Sequence, residues 1–427
     1  MVQKEETSVH ESVDHLFRRH AGQMVSVLSR IFGLEKLDTI EDAIQDALVS
    51  ALKTWPYAGS PDNPRAWLIQ VSKNKILDRL RRDGRRQAID EGLEDALGAI
   101  DAGDTVFFAR EVGEDQLRMI FACCHPAIPP DSQVALTLKT VGGFGVREIA
   151  SAFLAREDSV TRMISRAKQK LRDGGIRLEI PPPDEIPYRL EAVLKVLYLM
   201  FNEGYSASGG DALIRKDLCF EAIRLCDLLA AHPVTGLPKT HAAAALFLFQ
   251  GARLSSRHDY SGDLLLLSEQ DRGNWDKALL IRAMNHFRLS ASGGELSDYH
   301  LEAEIASCHA LAADFESTQW DRILGCYEEL TSRKFSPVVE LNRMIVHARV
   351  HGYAEALDEL DKFGADDRLK NYNLFYVTRA HFLAETGLFE EARKSYEQAL
   401  VLTRNEAVRR FLKKKIAAMM FTKTLGI

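Results

Sequence analysis

No run of apolar residues in this 427-residue chain approaches the length of a membrane span. The longest, AAAALFLF from Ala242 to Phe249, is far short of the roughly 18 to 20 residues a bilayer requires, so a transmembrane helix is excluded. Cysteine is scarce as well. Its six positions (Cys123, Cys124, Cys219, Cys226, Cys308 and Cys326) are dispersed and contain no C-x-x-C pair, which excludes a disulfide framework and predicts reduced, mostly buried thiols. The opening residues, MVQKEETSVHESVD, are polar and acidic without an apolar stretch, so no secretory signal is read and the expected location is the cytoplasm. Alternating β-branched runs separated by Asn-Gly or Asp-Gly turns are missing too, and the chain reads as all-α. What is present, 46% hydrophobic and 27% charged residues, is ordinary globular composition, and the length implies two to four domains at about 100 to 200 residues each.

A net charge of −6 would argue against a nucleic-acid partner if it were evenly spread. It is not. Between Arg65 and Arg86 stand eight basic residues opposed only by Asp78 and Asp83. The following stretch, to Asp115, is acidic and carries Gly92, Gly98 and Gly103, so residues 89–114 read as an acidic linker. A second basic segment runs from Arg147 to Arg177 and stops at Pro181, Pro182 and Pro183. Each basic run alone reads equally well as a solvated helix face. Two runs on an acidic tether point instead to one protein gripping two separated stretches of phosphate backbone.

The second basic segment, VREIASAFLAREDSVTRMISRAKQKLR, predicts a helix-turn-helix. Ile149, Ala150 and Phe153 form the stripe of a short first helix. Val160, Ile164, Ala167 and Leu171 form that of a second, for which Asp158 or Ser159 is the expected N-cap. Ser159, Thr161, Arg162, Ser165, Arg166 and Lys168 are left facing away from that stripe. Thr161 and Arg162, near the N-terminus of the second helix, are the candidates to read base edges, whereas Arg166, Lys168 and Lys170 suit phosphates.

In the first module, IEDAIQDALVSALKTW (40–55) predicts a helix with an apolar face of Ile44, Leu48, Ala51, Leu52 and Trp55. Its polar edge carries Asp42, Gln45 and Asp46. Asp42 and Asp46, one turn apart, lack a histidine or third carboxylate at metal-site spacing, so a protein partner bearing arginines fits them better than catalysis or a metal. Asn63 followed by Pro64 predicts the start of the next helix, RAWLIQVSKNKILDRLRR, which has no clean apolar stripe.

The order of these pieces resembles the extracytoplasmic-function class of bacterial RNA polymerase sigma factors. EDAIQDALVSALKTW is similar to that family's core-polymerase-binding helix. NPRAWLIQVSKNKILDRLRR, with Trp67, Leu68, Asn74 and Asp78, is similar to its promoter-melting helix, and REIASAFLAREDSVTRMISRAKQKLR to its region 4. The resemblance implies region 2 over 10–88 and region 4 over 115–178. It also implies two partners, core RNA polymerase and promoter DNA, with Asp42, Gln45 and Asp46 meeting the coiled coil of the largest polymerase subunit. Lys73, Asn74, Arg79, Arg81 and Arg82 are then expected at the minus-ten element, and the polar face of region 4's second helix at the minus-thirty-five element. Leu154 departs from the pattern, standing where region 4 usually has a turn glycine.

Residues 184–427 exceed what a minimal sigma factor of this class needs. LYLMFNEGYSAS, DLCFEAIRLCDLL, DRGNWDKALL and SPVVELNRMIVHA resemble a subgroup with a large C-terminal helical extension. Independently, FYVTRAHFLAETGLFEEARKSYEQALVLTRN fits a tetratricopeptide helix pair, with a weaker copy around Gly352, Tyr353 and Ala356. Asn202, Glu203, Tyr205, Arg215 and Asp217 form a polar cluster that reads as an interface, because it lacks a nucleophile with its base. Cys123, Cys124 and His125 are not read as metal ligands, since no second ligand pair stands nearby, and Ile120, Phe121, Ala122, Cys123 and Cys124 read instead as the core face of region 4's first helix. The expected function is therefore promoter-directed transcription initiation without cofactor, metal or catalytic site, regulated in cis by docking of the C-terminal region. The alternative is a free-standing helix-turn-helix regulator with a solenoid sensor domain.

Overall fold

The computed structural model describes residues 20–82, 105–153, 155–205, 216–259, 263–333, 336–364, 372–403 and 405–424. The described residues contain no β-strand, only an isolated antiparallel bridge between His258 and Leu264. The chain divides into two compact units, Met1–Met200 and Phe201–Ile427, the division falling some fifteen residues beyond the boundary expected at the prolines.

The first unit opens with α1 (20–32) and α2 (Leu37–Ala58). α2 extends three residues beyond the expected helix at each end, and buries Ile40, Ala43, Ile44, Ala47, Leu48, Ala51 and Trp55 at three- and four-residue spacing. Gly59, at φ +80°, ends it in a conformation that side chains resist, and donates its N–H to the Trp55 carbonyl at 3.0 Å. Asn63 Oδ1 then accepts from the Ala66 N–H at 3.1 Å, starting α3 (Pro64–Arg82) where the Asn-Pro pair predicted. Trp55 and Trp67 meet edge to face at 5.5 Å and pin α2 to α3.

α4 (Thr105–Cys123) begins ten residues inside the stretch expected to be linker. α5 (Pro130–Thr140) is buried almost throughout, and α6 (Val146–Ala152) and α7 (Glu157–Asp173) form the helix-turn-helix against it. Val160, Ile164, Ala167 and Leu171 are buried as the pattern predicts. The expected cap differs: α7 starts at Glu157, its N-cap is Arg156, and no side chain caps it. Glu157 and Asp158 instead lie in the first turn, where carboxylates favour the partial positive charge of a helix N-terminus. Leu154 lies outside the described residues.

Sequence patterning presents the two basic modules as tethered, but the structure packs them together within the first unit. Gly22 of α1 lies so close to the end of α5 that an added Cβ would come within 1.7 Å of the Val141 carbonyl oxygen. Arg30 Nε donates to Asp115 Oδ2 at 2.8 Å, joining α1 to α4. α8 (Ile186–Tyr205) follows the prolines.

The second unit is a succession of helices: α9 (Lys216–Ala231), α10 (Pro238–Ala252), α11 (Lys277–Ser290), α12 (Asp298–Leu311), α13 (Trp320–Arg333), α14 (Pro337–His351), α15 (Tyr353–Phe363), α16 (Asn373–Glu385), α17 (Phe389–Leu402) and α18 (Glu406–Thr424). α10 contains the longest apolar run of the chain and is buried on every side, packed by α9, α11 and α12. Gly352 and Gly387, at φ +108° and +80°, make the turns of the two tetratricopeptide-like pairs α14–α15 and α16–α17. Ala356, Ala380, Ala392 and Ala399 have no exposed surface, as small residues at close helix crossings should.

Candidate nucleic-acid and partner interface

α7 presents two faces with different chemistry. Thr161, Arg162, Ser165 and Arg166 are exposed, Ser159 is half-buried, and the apolar stripe is turned inward. Thr161 keeps its hydroxyl on the Glu157 carbonyl at 2.9 Å. Lys168, expected at DNA phosphates, is placed elsewhere and its assignment is corrected. It is buried, and its Nζ contacts Asp38 Oδ1 at 2.7 Å and Glu41 Oε2 at 3.0 Å, both near the start of α2. Burial disfavours the Lys168 charge, but Glu41 and Asp38 outweigh it and hold its pKa above the ordinary lysine value. Arg172 adds a longer contact to Asp38, 3.7 Å.

On α2, Asp42 and Gln45 are exposed and Asp46 is half-buried. Arg79 of α3 lies across that edge, with Nη2 2.7 Å from Asp46 Oδ2 and Nη1 3.3 Å from Asp42 Oδ2. A residue expected at DNA thus neutralises two expected at polymerase. Along α3, Asn74 and Arg81 are exposed, and Arg81 also contacts Asp78 at 3.3 Å. Lys73 is buried at 7% exposure, which removes it as a surface contact. The side chain of Arg82 lies outside the described residues.

Sequence reading missed Asp38, Glu41 and Asp115. Asp38 in the acidic first turn of α2 was a visible signal, but it stands 130 residues from Lys168 in sequence, and only the fold shows its pairing and that of Glu41. Asp115 accepts from Arg30 and, at 2.7 Å, from Arg118. Burial pushes its carboxyl up from the usual range while the two guanidiniums pull it down. The exposed apolar side chains Val49 and Tyr57 extend the outer edge of α2, and neither was anticipated.

Cys123 closes α4 and Cys124 follows it, both buried, with Cys123 Sγ 3.1 Å from Thr140 Oγ1. Burial pushes the Cys123 thiol up to about 12 and raises that of Cys124 as well. Among the described residues no group of three or more His, Cys, Asp or Glu side chains is placed to hold a metal ion. In the second unit, Asn202 and Asp217 are exposed and Glu203 is half-buried, while Arg215 lies outside the described residues. Tyr205 is covered by the Arg257 guanidinium at 3.8 Å, and Arg257 Nη1 donates to the Tyr205 carbonyl.

Residues 16–86 match the family model for sigma-70 region 2, and residues 118–171 that for sigma-70, region 4. The chain belongs to the sigma-70 family. Within that family it is an extracytoplasmic-function sigma factor with a large C-terminal extension, and residues 189–291 of the extension match a family of unknown function, DUF6596. An uncharacterized protein of Rhizobium meliloti (strain 1021) is 35% identical to this sigma factor over 398 residues, 92% of either chain. The probable ECF RNA polymerase sigma factor SigI of Mycobacterium tuberculosis is 22% identical over 181 residues, 41% of this chain and 59% of its own. The ECF RNA polymerase sigma factor SigE of Mycolicibacterium smegmatis is 24% identical over 164 residues, 38% of this chain and 61% of its own. No solved structure matches the chain. No helix among the described residues is long and apolar enough to cross a membrane.

Proposed function

We propose that this sigma factor directs core RNA polymerase to particular promoters in the cytoplasm, melts them and initiates transcription, with residues 184–427 regulating that activity in cis. The observation that carries the reading is the order of two sigma regions in one chain together with the outward side chains of α7. Thr161, Arg162, Ser165 and Arg166 form a polar row of the kind that reads major-groove edges and holds phosphates, joined by Ser159 at its start. Asn74, Arg79, Arg81 and Arg82 serve the minus-ten element, and Asp42, Gln45 and Asp46 serve polymerase. The functional boundaries follow as 10–88, 115–178 and 184–427, with 89–114 between the sigma regions. For the extension, Asn202, Glu203, Tyr205, Arg215 and Asp217 form the docking surface.

Reconstituted transcription tests the main reading: the full chain added to core enzyme should produce template-specific initiation that neither component gives alone. Binding to DNA without any effect on core enzyme would overturn it in favour of a free-standing regulator. For regulation in cis, truncation after Glu179, checked for helicity by circular dichroism, should change promoter output sharply, and Glu203→Ala or Arg215→Ala in the full chain should reproduce part of the change. Unaltered output from all three would remove the regulatory role.

A further inference from the structure

Steric and ionic contacts fasten the two sigma regions to each other within the first unit. Gly22 of α1 abuts the Val141 carbonyl at the end of α5. Arg30 of α1 reaches the Asp115 carboxylate of α4, which has no exposed surface, at 2.8 Å. Lys168, on the recognition helix α7, is stowed against Asp38 and Glu41 of α2 at 2.7 and 3.0 Å, and Arg172 reaches Asp38 at 3.7 Å. Each contact joins a helix of region 2 to one of region 4 or of the segment leading into it.

That packing limits how far apart the two DNA-facing helices can stand. Lys168 touches Asp38 and Arg79 touches Asp42, one turn further along α2 and so about 6 Å away. Arg162 lies about 9 Å along α7 from Lys168, and Asn74 about 8 Å along α3 from Arg79. With the full reach of the intervening side chains added, Arg162 and Asn74 are separated by at most about 50 Å. The minus-ten and minus-thirty-five elements are centred about 25 base pairs apart, about 85 Å of duplex at 3.4 Å per pair. The packed unit therefore spans too little to sit on both.

The place where α7 is held matters as much as the distance. Asp38, Glu41, Asp42, Gln45 and Asp46 fall at three- and four-residue spacing along one stripe of α2. Lys168 and Arg172 take the start of that stripe, and the edge assigned to polymerase is its continuation. An arginine-bearing partner laid along the stripe competes with α7 for it. Glu41 Oε1 is buried without a hydrogen-bond partner, so the ion pair leaves one acceptor unsatisfied that such a competitor can engage. We infer that Lys168, Asp38 and Glu41 form an autoinhibitory latch, which holds the free chain closed by stowing the recognition helix on α2 until core polymerase takes the stripe and releases region 4 to the distant element. The latch rests on the sigma function proposed above. In the closed state Arg162 and Arg166 are still exposed, so one promoter element can be bound but not two.

The test uses the full chain with spin labels at the exposed positions Thr54 and Asp173, attached through a genetically encoded keto side chain so that the native cysteines stay untouched. The free protein should give a single short distance, and core polymerase should lengthen it by roughly 20 Å or more. Without polymerase, Lys168→Glu, which repels Asp38 and Glu41, and Gly22→Ala, which wedges α1 away from Val141, should each populate the long distance at unchanged helicity. Adding Asp38→Lys and Glu41→Lys to Lys168→Glu reverses the charges and should bring the short distance back, a recovery that a misfolded variant would not show. Equal distances in the free and polymerase-bound chain, or a short distance retained by both single variants, would overturn the inference. A chain that never engages core enzyme would overturn it together with the sigma function. Initiation from a two-element promoter with the short distance retained would overturn the latch alone.

Discussion

Arg79 reaches Asp46 and Asp42 at once, at 2.7 and 3.3 Å, so a cation of α3 covers the acidic edge of α2. Any arginine-bearing partner must compete with it. These groups are partly exposed and solvent screens their attraction, so the contacts contribute only about 0.2–1 kcal/mol each. The double substitution Asp42→Arg with Asp46→Arg is therefore expected to leave the fold intact, with urea unfolding shifted by no more than about 2 kcal/mol, while abolishing co-purification with core polymerase. Retained co-purification would remove these residues from the interface.

Lys168 behaves differently because Glu41 shares its burial. Truncation to Ala leaves the Glu41 carboxylate without its cation in a poorly solvated place, at a cost of about 2–3 kcal/mol after allowance for partial exposure. Equilibrium unfolding should show that loss, and Glu41→Gln combined with Lys168→Met should recover much of it. A Lys168→Ala protein of unchanged stability but uniformly weaker on every promoter would return this lysine to the phosphate contacts.

Arg162 lies on the outer face of α7, so its removal should be nearly silent in unfolding experiments. In binding to a panel of promoter variants, Arg162→Ala should relax preference at one or two base pairs by about 1–3 kcal/mol. Equal losses on every variant would mean that it holds a phosphate.

The fold was largely legible in the sequence because helical periodicity records burial directly. The stripe of α7 and the Asn63–Pro64 start of α3 sit where spacing put them. The long-range pairings were not legible. Nothing local in the neighbourhood of Lys168 distinguishes it from Lys170, yet the first is buried against α2 and the second is exposed. The cap of α7 was misplaced because the helix begins at Glu157, ahead of the expected cap Asp158, which lies within the first turn instead.

His309 gives the second unit an acid-sensitive point. Its pKa is about 4 when folded and near 6.5 when unfolded, so below about pH 6.5 the unfolded chain takes up a proton that the folded one refuses. The stabilising contribution is complete above that pH and is lost on acidification toward pH 4, by about 3 kcal/mol in total. Urea unfolding at pH 7, 5.5 and 4.5 should show the decline, and His309→Gln should flatten it. Parallel pH profiles for the parent and His309→Gln proteins would rule out this histidine as the source.

The approach of Gly22 to Val141 leaves no gap for even one methyl group, and it joins segments on opposite sides of residues 83–104. A chain severed there would be divided in sequence but not in its packing. Two co-expressed polypeptides, one ending at Arg82 and the other beginning at Thr105, should therefore find each other and purify as a stoichiometric pair. Placing Ala at position 22 should weaken that complementation far more than it alters the helix content of either fragment.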